Sequence, residues 1–431
     1  MESASPPPTD RPGFAATAWA LCAAFGAYFC MYGFRKPYTA AGWVGEGVAG
    51  LDWKTVLVIA QVVGYTLSKF IGIKVISELP ASRRALGILL LVALAEGALV
   101  GFALLPAPWS ALMLFLNGLP LGMVFGLVLG FLEGRRLTEI LAAGLCASFI
   151  VADGFTKSVG AALLGAGVPE VWMPAAAGAL FFLPLAVAVW MLARVDPPDG
   201  HDVAARSART TLDGPARRAL FARHAPALVC IIAMYLLVTV LRSVRADFAR
   251  EIWQGLTGTV ALPTLFTSTE TWVAAGVMLA TASLVTITDN RRAFFLSLAT
   301  CGIGLGVALV AGVLAAAGRL PATALVILVG VGVYLPYVAV HVSLFERLLA
   351  VSRDRGTSTY LLQLADSFGY LGYVAVLLLK VAAGMGGADP AALGRSFPTV
   401  VAGTAVVGLA LVAAAWGFCL RGLPAGAGSE R

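Results

Sequence analysis

The chain has 431 residues, 59% of them hydrophobic and 12% charged, with a formal net charge of +7 and a mean hydropathy of +0.89. A soluble domain carries about 25% charged residues, so a water-covered globule is excluded. The basic excess is no nucleic-acid footprint either, because it gathers in alternate connections between apolar stretches.

A bilayer is crossed by about 20 apolar residues in a helix. Such stretches run over 14–42, 53–77, 85–105, 109–132, 137–165 and 172–193, then 225–245, 264–288, 293–317, 321–349, 357–381 and 397–419. Several exceed the minimum, which implies tilt or protruding ends. Alternating strands of barrel type are missing, so the spans are helices. The expectation is an all-α membrane protein with twelve transmembrane helices in two pseudo-symmetric six-helix halves. Residues 1–194 make the first half, 195–224 a cytoplasmic linker, 225–420 the second half and 421–431 a C-terminal tail.

Orientation follows from the basic residues. Arg83, Arg84, Arg135, Arg136, Arg291, Arg292, Arg347, Arg353 and Arg355 occupy one set of loops, and the Arg-rich linker joins them. The other set holds few cations, mainly Lys54, Arg245, Arg250, Arg319 and Arg395. The positive-inside bias then puts both termini in the cytoplasm, in a cell (inner) membrane. The opening "MESASPPPTDRPGF" lacks a charged n-region, a short apolar core and a cleavage site, so no removable signal peptide is expected. The six cysteines fall inside spans without metal or redox spacing and read as small apolar fillers.

The halves echo one another. "ASRRALGI" matches "TDNRRAFF", "VADGF" matches "LADSF", Glu133 matches Glu346, and Arg35 matches Arg242, all at offsets of about 207 to 213. Four matches in order point to an internal repeat. Facing six-helix halves are the plan of the major facilitator superfamily, whose substrate site lies near the midplane. Gly118, Gly122, Gly126, Gly130 and Gly134 recur every fourth residue on the fourth span and give it a smooth packing face.

Charges inside spans are costly, about 2.5–3.5 kcal/mol each on insertion scales, and so mark functional positions. Lys74 and Lys380 lie near span ends, where they snorkel. "YGFRKPYTAAGW" puts Arg35 inside the first span if the helix continues past Pro37, or at the water interface if it stops at Phe34. Arg242, well inside "LLVTVLRSVRADF", is its counterpart. Two guanidinium forks at equivalent positions suit an oxyanion. Lys69 is a third interior cation or a snorkelling one. Lys157 follows Asp153 by four residues and either pairs with it or meets substrate. Asp366 has no cation at the matching place; an arginine from a neighbour satisfies it, or it exchanges protons. His341 reads as a hydrogen-bonded interior histidine. Tyr32, Tyr38, Tyr65, Tyr235 and Tyr337 are candidate cavity hydroxyls.

At these residues the sequence resembles a known family. "MYGFRKPYTAA" with "GYTLSKFIG" is similar to the first and second helices of the organophosphate:phosphate antiporters, the glycerol-3-phosphate and sugar-phosphate carriers of the major facilitator superfamily. "YLLVTVLRSVRADF" is similar to their seventh helix. The resemblance implies a phosphate site of Arg35 and Arg242, assisted by Lys69, in a carrier that exchanges an organophosphate for phosphate. The glycerol-3-phosphate carriers have a histidine in the fifth helix where this chain has Lys157. The loop "GIKVISELPASRR" is a lengthened variant of the superfamily pattern, and the second half looks like a divergent branch.

The leading expectation is a secondary transporter of a small anionic solute, a monomer in lipid that needs no cofactor or metal. No G-x-x-x-x-G-K-[ST] loop for ATP is present. A proton-coupled carrier of an uncharged or zwitterionic solute, with Asp153 or Asp366 as the titrating carboxylate, is the alternative. A sensor of the same fold is another. Three histidines and no nucleophile–base set argue against an enzyme.

Overall fold

The computed structural model describes residues 14–43, 51–132, 138–196, 214–285, 287, 289–352, 358–382 and 390–423. Glu133, Gly134, Arg135, Arg136, Arg353, Arg355, linker residues 197–213 and tail residues 424–431 lie outside the described residues, as do the side chains of Lys74, Arg217 and Lys380.

Among the described residues the backbone is helical and contains no strand. The first half comprises α1 (Phe14–Met31), α2 (Trp53–Glu78), α3 (Ala81–Leu104), α4 (Trp109–Leu132), α5 (Thr138–Gly165) and α6 (Met173–Ala193). The second begins with α7 (Gly214–Asp247), which starts within the stretch read as linker, and the short α8 (Ala249–Thr257). It continues through α9 (Pro263–Val285), α10 (Asn290–Ala316) and α11 (Ala322–Ala339). A π-helical turn over Val340–Leu344 leads into α12 (Phe345–Ser352), followed by α13 (Ser358–Ala382) and α14 (Pro390–Gly422).

Eleven of the described helical stretches are long and apolar enough to cross a membrane. The eighth predicted span, α9, is 23 residues long, but its first turns read "PTLFTSTETW". That polar start is buried work, since Thr269 and Glu270 are 4% and 6% exposed. Lipid-facing positions carry the opposite chemistry: Leu183 and Leu279 are 73% and 79% exposed. A multi-pass membrane protein follows, because such apolar surface is not left to water.

Two contacts join the halves reciprocally. The second helix of the first half, α2, lies against α13, the fifth span of the other. The fifth of the first half, α5, lies against α9, the second span of the other. The α5–α9 approach is so close that a Cβ on Gly154 would sit 2.2 Å from the Phe266 carbonyl oxygen. The glycine register of α4 serves its expected purpose at Gly118, where a Cβ would sit 2.2 Å from the Gln61 carbonyl oxygen of α2.

Candidate functional site

The site starts where α1 fails. Pro37 lacks the N–H that a continuing helix requires and crowds the residue before it. The chain turns through two short 3-10 segments, Tyr32–Phe34 and Pro37–Ala40, with Arg35 and Lys36 at φ −111° and −106° between them. The first span is therefore helical only to Met31, not to about residue 42 as the sequence suggested. Yet the cations are enclosed by the protein, being 4% and 5% exposed.

A broken helix in lipid must satisfy its freed carbonyls internally. Gln61 Nε2 donates to the Arg35 carbonyl at 3.1 Å and Asn117 Nδ2 to that of Phe34 at 3.1 Å. Lys54 Nζ donates to the Thr39 carbonyl and Trp43 Nε1 to that of Tyr38, each at 2.7 Å. Gln61 and Asn117 are hydrogen-bonded to each other at 2.8 Å. Both lie two turns inside their helices, about 12 Å from the ends, which fixes the depth of Arg35. Asn117→Ala is expected to destabilise the protein by about 1–3 kcal/mol, the cost of leaving buried carbonyls unpaired. A lowered thermal midpoint in detergent is the readout.

From this turn the Arg35 guanidinium stacks on Tyr65, 3.8 Å from the ring centroid. Tyr65 packs on Tyr370 at 5.2 Å between centroids, and Tyr370 accepts a long 3.5 Å contact from Arg242 Nη2. Arg242 lies 4.5 Å from the Tyr337 ring centroid. The two arginines thus meet through a pair of tyrosines, one from each half. Neither has a carboxylate partner among the described residues, and the Nε of each is buried without a hydrogen bond.

Every other buried cation among the described residues is paired. Lys69 Nζ lies 2.9 Å from Asp366 Oδ2, whose other oxygen accepts from the Tyr235 hydroxyl. Lys54 bonds Glu251 at 2.6 Å, and Arg245 Nη1 lies 2.7 Å from Glu270 Oε1. Lys157 pairs with Asp153 one helical turn away, and Lys36 pairs with Asp247 while sitting 3.7 Å from Asp153. Among the described residues seven cations and five carboxylates are therefore buried, an excess of two positive charges. The two arginines left over account for it. Three of the pairs, Lys36–Asp247, Lys54–Glu251 and Lys69–Asp366, join the halves, each with its lysine in the first half.

Several expectations change. Asp366 is satisfied by Lys69 across the interface, not by an arginine, and Lys69 does not snorkel. Lys54 and Arg245 are not loop cations; burial 2% and 3% exposed requires the acids that hold them. Lys157 takes the structural pairing with Asp153. Tyr38 belongs with neither arginine's pocket; it sits in the second 3-10 segment, in the layer of Lys36, Asp247 and Tyr373, where the Tyr373 hydroxyl donates to Asp247 at 2.9 Å.

The pocket is lined by Tyr32, Tyr65, Lys69, Tyr337, Asp366 and Tyr370, among other aromatic residues, and holds about 10 Å3. That is room for about one water, so the halves are closed around it. His341 lies on the π-helical turn, a feature frequent at functional sites. Its Nδ1 is 2.9 Å from the Tyr337 carbonyl oxygen and its Nε2 is 3.8 Å from Asp366. The interior hydrogen-bonded role expected of it is the one observed.

The structure gathers Tyr32, Tyr65, Lys69 and Asp366 around one pocket beside Arg35 and Arg242, where the sequence had grouped only the two arginines and Lys69. Sequence reasoning missed Tyr370, which follows Asp366 by one helical turn and so shares its face. It also missed Asp247, Glu251 and Glu270, acids at or near predicted span ends. No cluster of histidine, cysteine and carboxylate suited to a metal occurs among the described residues.

No curated protein sequence matches this chain. The profile of one family does, over residues 37–421, which takes in Tyr65, Lys69, Arg242, Asp366 and Tyr370 but begins two residues after Arg35. The chain belongs to the family of unknown function DUF5690.

Proposed function

We propose that the protein is a secondary transporter of a small anionic solute carrying two charges, with a phosphate monoester as the best fit. It works by alternating access of two six-helix halves on the major facilitator plan, in a cell (inner) membrane with its termini in the cytoplasm. The observation that carries this reading is the buried excess of two guanidinium groups without carboxylates. A phosphate monoester carries a charge of about −1.5 to −2 near neutral pH, which matches that excess, and its oxygens suit two forked donors. The unpaired Nε atoms supply donors that no described residue uses.

The mechanism follows from differential affinity. In the closed form the arginines are held only by aromatic faces, a weaker partner than a carboxylate. A dianion between them relieves their repulsion in the closed form more than in a hydrated open one, so loading favours closure. Exchange is then faster than net flux, because the empty site closes with two uncompensated charges. Asp153 and Asp366 are tied to lysines in this state and serve as partners rather than free titrating groups.

The test is counterflow. Proteoliposomes loaded with unlabelled phosphate or glycerol phosphate are expected to take up the labelled compound against its concentration gradient. Binding without counterflow would leave a sensor; neither would reject the reading.

A further inference from the structure

The flank of α7 beside the Tyr235–Arg242 stripe carries Phe221, Val229 and Leu236, with Arg218 at its start. The face of α13 opposite to Asp366 and Tyr370 carries Tyr360 and Phe368. These two stripes wall an open groove of about 510 Å3 on the outside of the bundle. Its walls are apolar and accessible: Val229 is 54% exposed and Phe368 45%. Single exposed apolar residues are ordinary on a membrane protein, but a concave strip with a cation at one end is a shaped surface.

We propose that this groove is a binding site for an anionic phospholipid of the surrounding bilayer, acyl chain between α7 and α13 and headgroup phosphate at Arg218. Two observations converge. The run from Phe221 to Leu236 is fifteen residues, about 22 Å of helix, which equals the depth of one leaflet including its headgroup layer, about 20–22 Å. Arg218 opens the membrane-crossing part of α7, so its guanidinium stands at headgroup level, and no carboxylate among the described residues holds it. The site is separate from the arginine pair and does not depend on the transport reading.

The site also has a consequence for the pocket. Its two walls belong to the helices that carry Arg242 and Asp366, so a lipid wedged there bears on both.

Native mass spectrometry of the full chain, released from detergent with equal phosphatidylglycerol and phosphatidylcholine, reads the binding directly. Phosphatidylglycerol adducts are expected to outnumber phosphatidylcholine adducts by about fivefold, the weight of one basic side chain near an anionic surface. Arg218→Glu is expected to bring the ratio to about one. Ala233→Trp, which fills the groove, is expected to remove bound lipid of both kinds while helical content by circular dichroism is unchanged. No phosphatidylglycerol preference in the unsubstituted protein, or a preference that survives both substitutions, overturns the proposal. So does a dimer that Ala233→Trp dissociates, since the groove would then hold a second copy.

Discussion

Arg242→Gln is expected to weaken binding of a phosphate monoester by about 2–4 kcal/mol, roughly 30-fold to 1,000-fold, and Arg35→Gln by a similar factor. Each substitution removes half of the buried positive excess and one of two forked donors. The more telling part is stability. Arg35 and Arg242 are buried without carboxylates, so the empty protein holds two charges it does not compensate within the described residues. Removing one should leave the thermal midpoint unchanged or higher, while binding and counterflow collapse. A residue kept at the expense of stability is the signature of a binding group. Arg→Lys at either position keeps the charge but loses the planar fork and the stacking on Tyr65 or Tyr337, so affinity should fall as well. Isothermal titration with a detergent-solubilised protein, alongside a melting curve, separates the two effects. Unchanged affinity in both Gln variants would remove the arginines from the site.

The opposite pattern is expected at the interface pair. Asp366→Leu leaves the Lys69 ammonium buried without its partner and the Tyr235 hydroxyl without its acceptor. Breaking a buried pair in this way costs about 3–5 kcal/mol, and the thermal midpoint should drop accordingly. Adding Lys69→Met removes the orphaned charge and should recover most of that loss, because a matched apolar pair is often as stable as the ion pair it replaces. The double variant also asks whether the pair matters for movement. Lys69 and Asp366 belong to different halves, so an opening that parts α2 from α13 must separate them. The double variant should therefore remain folded but change the rate of exchange, with affinity less affected than in either arginine variant. A double variant as unstable as Asp366→Leu alone would mean that the pair is not what holds Lys69.

The contrast between these two residue sets explains how far the sequence could be read. An all-helical, multi-span chain was legible because lipid demands long apolar stretches with internally satisfied backbones. The breaks were harder. Pro37 announced a disturbance, yet only the positions of Gln61 and Asn117 on neighbouring helices decide that the turn is buried and not at the surface. The arginines stood out in the sequence as charges inside apolar stretches. Their lack of carboxylates did not, since it depends on where Asp153, Asp247, Glu251, Glu270 and Asp366 point. Asp366 makes the case: it has no cation one turn along its own helix, as Asp153 has in Lys157, and its partner lies 297 positions away on α2. Lys54 and Arg245 show the same limit in reverse, as residues that looked like loop charges and proved to be halves of buried pairs. Local pattern gives the elements and the unusual residues; pairing across the interface is a property of the fold.

The polarity of the inter-half pairs adds a physical feature that no single motif carries. Lys36, Lys54 and Lys69 all face acids on the second half, so the halves attract one another at these three points. At the arginine pair both contribute positive charge. Closure there is opposed unless something negative stands between them.

The most direct test is the charge of the ligand. A phosphate monoester passes from one negative charge to two near pH 6, whereas a phosphodiester keeps one at every pH. Titrated by calorimetry between about pH 5 and pH 8, the monoester is expected to bind about tenfold more tightly per pH unit below that transition and to level off above it, while the matched diester binds weakly throughout. A diester that binds as tightly as the monoester, or a monoester affinity that ignores the transition, would contradict a site built to hold two charges.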